Sequence, residues 1–260
     1  MKCKDFIQIL RQQADESRAC SWDNVGLLVG SMQKEIKKVY IALDASDEAV
    51  SEAAAAEADF LLTHHPLIFQ GMKRVTQEDI IGRRVMALIR ADISYYAMHT
   101  NFDIMGMAEL AAEKIHLQNG VPLEVTGEVD GRAAGIGRVG ALERPMSLEA
   151  CCTLVKEAFG RKHVKVFGDL QAMVSRAAIC PGAGKSNVTD ARNAGAQVYI
   201  TGDIDHHTGI DAAAAGMAVI DAGHYGIEHI FIPYMAGYIR QHAPELIVTE
   251  QAVTEPFCIV

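Results

Sequence analysis

The segment "IALDASDEAVSEAAAAEADFLLTHH", residues 41–65, decides the fold class. Its two ends are apolar and its middle is alanine-rich with acidic punctuation, the pattern of strand, helix, strand. Val39–Leu43 reads as the first strand, 47–58 as a helix with Ser46 at its N-cap, and Phe60–Thr63 as the second strand. That second strand ends abruptly in Thr63-His64-His65-Pro66. Two adjacent imidazoles at the mouth of a strand are either a polar turn or a pair of ligands.

The unit recurs. "ICPGAGKSNVTDARNAGAQVYITGD", residues 179–203, aligns with 41–65 without a gap, and its last strand ends in Thr201 as the first ends in Thr63. His99-x3-Asp103 follows the strand ISYYAM, and His224-x3-Glu228 follows MAVIDAG. Any two strand–helix–strand units look somewhat alike, but the matched His-x3-carboxylate endings favour internal duplication. Further helices are expected over 4–14, over 77–90 behind a Thr76 cap, over about 106–117, and from Ser147 to near Gly160, with another strand at Ile93–Met98. The glycine-punctuated stretch 127–140 reads as a hairpin and as the seam between domains. The expectation is an α/β protein of two topologically related lobes, 1–126 and 127–260.

Composition narrows the function. Of 260 residues half are hydrophobic, the net charge is −9, and no basic stripe is present, which argues against a nucleic-acid partner. No run approaches the ~18 apolar residues of a membrane span, so no membrane partner is expected. The six cysteines form no C-x-x-C pair, and the start Met1-Lys2-Cys3-Lys4-Asp5 turns polar too soon for a secretion signal. Reduced thiols in a cytoplasmic protein are the expectation.

In a parallel α/β sheet, ligands bind beyond the carboxyl ends of the strands. His64, His65, Asp103, His224 and Glu228 all fall just past expected strand ends. Three imidazoles and two carboxylates suit zinc, iron, manganese, nickel or cobalt. On extended backbone the side chains of His64 and His65 would point apart, one ion each. Helical x3 spacing would put His224 and Glu228 on one face, and a bridging Glu228 could join ions ~3.5–4 Å apart. Singly, each residue has a plainer reading: Asp103 as a cap for the helix near 106, Glu228 as a solvated first-turn carboxylate. Taken as a repeat-related set of five, the metal reading wins.

Other motifs are weaker. Pro181–Ser186 ends like a phosphate loop, but Ile179 stands where its first glycine belongs, which excludes a nucleoside-triphosphatase cradle. TGDIDHHTG, 201–209, is a polar loop whose Asp203 and His207 are candidates for proton transfer and for contact with substrate or metal surroundings. Cys151-Cys152 reads as helix packing, and Trp22, the only tryptophan, as a packing residue at a lobe or subunit contact.

Trp22-Asp23-Asn24-Val25-Gly26-Leu27, THHP at 63–66, HTNFD at 99–103, TGD at 201–203 and GHYGIE at 223–228 together resemble the Nif-three-like dinuclear metal-centre proteins, the GTP cyclohydrolase 1 type 2 homologues. The resemblance spans nearly the whole chain in the family's order. It implies His64, His65, Asp103, His224 and Glu228 as ligands of two divalent ions per subunit, with His99 beside them. It further implies two related α/β lobes with the metals between them, a toroidal homohexamer, and the short form without an inserted domain. The expected activity is metal-dependent hydrolysis through a metal-activated water, with Glu228 or Asp203 handling protons, on a small-molecule and possibly nucleotide substrate. GTP ring opening is the candidate reaction; a non-catalytic adaptor, storage or delivery protein is the alternative.

Overall fold

The computed structural model describes residues 1–260, which fall into two compact units, 1–102 with 231–254 and 103–230 with 255–260. The chain begins with α1 (Cys3–Gln13), whose Cys3, Phe6, Ile7 and Leu10 recur at helical spacing and are buried. It continues through β1 (Gly26–Val29), β2 (Lys38–Ala42), α2 (Asp47–Ala55), β3 (Phe60–Thr63), α3 (Ile80–Arg90) and β4 (Ser94–Ala97), then a short α4 (Thr100–Phe102). Every residue of β3 and β4 is buried, as a parallel strand covered on both faces requires.

The second unit opens with a π-helical turn, Asp103–Met107, that runs into α5 (Ala108–Lys114). It continues with the hairpin β5 (Gln118–Val129) and β6 (Arg132–Ser147), then α6 (Leu148–Ala158), β7 (Lys165–Phe167), β8 (Met173–Ala183), α7 (Val188–Asn193), β9 (Val198–Gly202), α8 (His206–Ala214), β10 (Ala218–Asp221) and α9 (His224–Glu228). The chain then adds α10 (Phe231–His242) and β11 (Ile247–Glu250) to the first unit.

Each unit holds one sheet. The first has the order β1-β4-β3-β2-β11, and the second β5-β6-β8-β9-β10-β7. In the first, β2, β3 and β4 are parallel and β1 closes the edge antiparallel to β4. In the second, β8, β9 and β10 are parallel and β7 closes the edge antiparallel to β10. The same four-strand order and the same edge reversal thus appear in both units. No helix is long and apolar enough to cross a membrane.

Local chemistry explains the boundaries. Ser46 caps α2, its hydroxyl accepting from Ala49 N–H at 3.1 Å, and Ser147 caps α6 from Ala150 N–H at 3.2 Å. The cap of α3 is Asp79, not Thr76: residues 77–79 form a turn, and the Asp79 carboxylate reaches Gly82 N–H at 2.7 Å. The glycine-rich stretch 127–140 is a hairpin, with Val129 paired to Arg132, but it lies within the second unit's sheet. The chain passes instead from one unit to the other after Phe102, after Ile230 and after Thr254, and β11 joins the first unit by pairing parallel to β2.

Candidate metal centre

In the first unit the pairing register sets Ala42, Thr63 and Ala97 level with one another. The residues that follow therefore leave the sheet side by side: Asp44 after β2, His64 and His65 after β3, His99 after β4. The turn after β3 is pinned from below. Buried Thr63 donates its hydroxyl to the His65 carbonyl at 2.8 Å, and Tyr95 donates to the same carbonyl at 3.0 Å while accepting from Leu67 N–H at 2.7 Å.

Each imidazole is oriented by an oxygen on its Nδ1. His64 Nδ1 lies 2.6 Å from the Met98 carbonyl, His65 Nδ1 2.8 Å from Asp44, and His99 Nδ1 2.9 Å from Asp23. A carbonyl only accepts, so His64 carries a proton on Nδ1, and in the neutral ring that leaves the lone pair on Nε2. The two carboxylates impose the same tautomer on neutral His65 and His99. Ligand atoms of the three rings lie within 4.8 Å of one another, the spacing at which they could hold a metal ion. Asp23 is itself well fixed. Burial raises its pKa, but hydrogen bonds from His99 and Thr100 outweigh that and hold it at about 2.

His64 and His65 do not point apart as an extended pair would. Both sit in a bend just past the end of β3, where strand alternation no longer applies, and their ring centroids are 4.8 Å apart. Their surroundings differ, with His64 fully buried and His65 half-buried.

In the second unit α9 is a single helical stretch from His224 to Glu228, so the x3 spacing places both side chains on one face. His224 Nε2 lies 3.0 Å from Glu228 Oε2, and His224 Nδ1 lies 3.0 Å from Asp203. Asp203 follows β9 in the left-handed region at φ +56°. Glu228 is buried, and the backbone of Gly182 makes room for it: a Cβ there would stand 2.5 Å from Glu228 Oε1. Asp103 begins the π-helical turn, inside a helical stretch rather than capping one. Such turns widen the helix and are frequent at functional sites. Asp103 and Glu228 share a buried neighbour, Cys180, whose thiol is pushed up to about 12 by burial and, beyond that, by the charge of these and other carboxylates.

The donor sets fit a divalent transition ion: imidazole nitrogen with tied-back Nδ1–H in the first unit, imidazole and buried carboxylate in the second. His207 stands apart, exposed in the first turn of α8 against His206 at 5.2 Å. Lys185, in a short 3₁₀ turn rather than a phosphate loop, is paired with Asp205 at 2.7 Å. Trp22 is largely exposed, with its ring 5.9 Å from Phe69 and 6.1 Å from His99. Sequence reasoning gave Asp44 and Asp23 no role. The available signal was an Asp one residue beyond the expected end of the first strand, and the rule that ligating histidines need an outer hydrogen-bond partner.

A family model described as Duf34/NIF3 (NGG1p interacting factor 3) matches residues 1–256. The chain belongs to the DUF34/NIF3 family. Among relatives in the family, the GTP cyclohydrolase 1 type 2 homolog of Clostridium perfringens is 33% identical over 262 residues, 99% of each chain. The protein of the same name from Methanocaldococcus jannaschii is 34% identical over 232 residues, 88% of this chain and 90% of the relative. Among solved structures, reduced HcgD from Methanocaldococcus jannaschii matches with a TM-score of 0.83 at 32% identity, covering 96% of this chain and 97% of that one. A Bacillus cereus protein related to NIF3 matches with a TM-score of 0.93 at 23% identity, covering 100% and 99%, a likeness of fold alone. Family membership thus agrees with the resemblance carried by WDNVGL, THHP, HTNFD, TGD and GHYGIE.

Proposed function

We propose that the protein is a dinuclear metal-dependent hydrolase in which His64, His65, Asp103, His224 and Glu228 hold two divalent ions. The observation that carries this reading is the uniform orientation of the histidines, each with an oxygen on Nδ1, which in the neutral ring puts the ligating lone pair on Nε2. Bound there, such ions supply a water acidic enough to ionise near neutral pH and polarise a carbonyl or phosphoryl oxygen. The chain's own residues do the rest. Asp44 and Asp203 fix the tautomers of His65 and His224, and Asp23 does so for His99 beside the site. Glu228, buried and held by His224, and Asp203, exposed above it, are the groups placed to take up and return protons. His207 on its exposed turn is proposed only as a substrate contact.

The name shared by the curated relatives suggests a purine nucleotide ring as substrate, with GTP ring opening the first reaction to test. The repeated strand order supports descent of the two units from one duplicated α/β lobe. Assembly as a homohexamer belongs to the same proposal and is read by light scattering. A second reading, a metal-bearing adaptor without turnover, is favoured by the family's description as an interacting factor. The two separate on one experiment. Pure protein loaded in turn with Zn, Fe, Mn, Ni and Co is incubated with GTP and with a panel of nucleotides and phosphoesters. Metal-dependent formate release or hydrolysis, lost in Glu228→Ala, supports the hydrolase; stoichiometric metal with no turnover on the whole panel supports the adaptor.

A further inference from the structure

Within the second unit, the segment Glu255–Val260 lies against a cavity of about 330 Å³. Arg161, Lys165 and Asp203 line it from the body of the unit, and Phe257 and Ile259 line it from the segment. Lys165 is committed, 2.8 Å from Asp221 and 2.6 Å from the Ile204 carbonyl. Arg161 is not. Its side chain is only 11% exposed, its Nη1 pairs with Glu255, and its Nε is buried with no partner. The second oxygen of Glu255 is likewise buried and unpartnered.

A permanent ion pair in such a place satisfies both partners, because a donor or acceptor buried without a partner is costly. Here a guanidinium built for two parallel bonds receives one, from a carboxylate that uses one oxygen. Burial pulls the Arg161 pKa below its ordinary value, so the cation needs a counter-charge. The guanidinium also packs on Gly226, where a Cβ would meet Arg161 Nε at 2.6 Å, so it sits directly beneath the turn joining His224 to Glu228.

We propose that Arg161 is an oxyanion-binding residue, and that Glu255 with Phe257 and Ile259 forms a displaceable strap occupying its site until a phosphate or carboxylate group takes Glu255's place. The strap pairs with the unit through the Arg161–Glu255 ion pair, and its apolar side chains Phe257 and Ile259 are more than half exposed. A phosphate or carboxylate not tethered to the chain can bond Nε and an Nη of Arg161 together, whereas Glu255 reaches only Nη1. The site goes beyond the metal reading and does not require it, since the anion is held by Arg161.

The test uses the full chain as purified, with metal content measured in every preparation. Inorganic phosphate and adenosine monophosphate are titrated calorimetrically into wild type, Glu255→Gln, and Glu255→Gln combined with Arg161→Lys or Arg161→Gln. Removing the Glu255 charge is expected to tighten phosphate binding at least tenfold, and Arg161→Gln to abolish that gain. The two probes distinguish a free phosphate site from one that prefers a nucleotide. Unchanged affinity in Glu255→Gln overturns the proposal, as does a gain that survives Arg161→Gln, which would place the anion on a bound metal instead. A second measurement leaves Arg161 and Glu255 intact. A spin label on exposed Cys258, in a Cys20→Ser background, should become more mobile at saturating phosphate; an unchanged spectrum overturns the strap.

Discussion

Gly182→Ala tests how closely the second unit holds Glu228. Gly182 has φ +76°, a left-handed conformation that costs an L-residue about 1–2 kcal/mol. In addition, the new Cβ would stand 2.5 Å from Glu228 Oε1, where ordinary contact begins at 3.4 Å. The carboxylate must therefore retreat by about 1 Å, beyond the roughly 0.5 Å within which a working site is held. Displacing a metal-site group in this way is expected to weaken metal binding by about 10–100-fold. Gly216→Ala is the control: φ there is +85°, with nothing within 4 Å of an added Cβ. Both variants pay the backbone strain and only one displaces Glu228. Thermal denaturation should show similar loss of stability from strain, with Gly182→Ala somewhat worse, while metal titration followed by mass spectrometry separates them sharply. Equal metal affinity in the two variants would refute the placement of Glu228 as a ligand.

Asp44→Ala and Asp203→Ala each remove the oxygen that fixes a histidine tautomer, so metal affinity should fall about 10–100-fold with the circular dichroism spectrum unchanged; unaltered affinity in both would remove their orienting role. Tyr95→Phe deletes the acceptor of the buried Leu67 N–H, and urea denaturation should register a loss of about 1–3 kcal/mol. A change near zero would mean the turn carrying His64 and His65 is not pinned there. Burial, then the neighbouring Cys152, pushes the Cys151 thiol from 9.0 up to about 12. A raised folded pKa means its contribution is fully present below pH 9 and is lost as pH rises from there toward 12. Stability should fall across that window, and Cys151 should resist iodoacetamide at pH 9 until denaturant is added, while exposed Cys258 reacts at once; modification of native Cys151 at the Cys258 rate would contradict its burial.

The parts of this protein legible in its sequence are those fixed by neighbours along the chain. The run Phe60–Thr63 ends in two histidines because the strand ends there, and Ser46 and Ser147 announce their helices by capping chemistry local to four residues. His224 and Glu228 were legible for the same reason, since one helical turn is enough to put them together. Local signals also misled. Thr76 is as good a cap as Asp79 until the turn at 77–79 is seen, and a hairpin around Asp130 and Gly131 looks like a seam although it extends a sheet. The return of 231–254 to the first unit was hidden because it depends on β11 pairing with β2 across most of the chain. Asp44 and Asp23 were hidden for a related reason. Each meets its histidine across 21 and 76 residues, a contact set by strand register and by the loop before β1, not by spacing.

Anomalous diffraction from crystals of the metal-loaded protein tests the central claim most directly. The account predicts two ions about 3.5–4 Å apart, ligated by Nε2 of His64, His65 and His224 and by carboxylate oxygens of Asp103 and Glu228, with Asp44 and Asp203 still on the Nδ1 side of their histidines. Anomalous peaks located away from these side chains, or ligation through Nδ1, would contradict it.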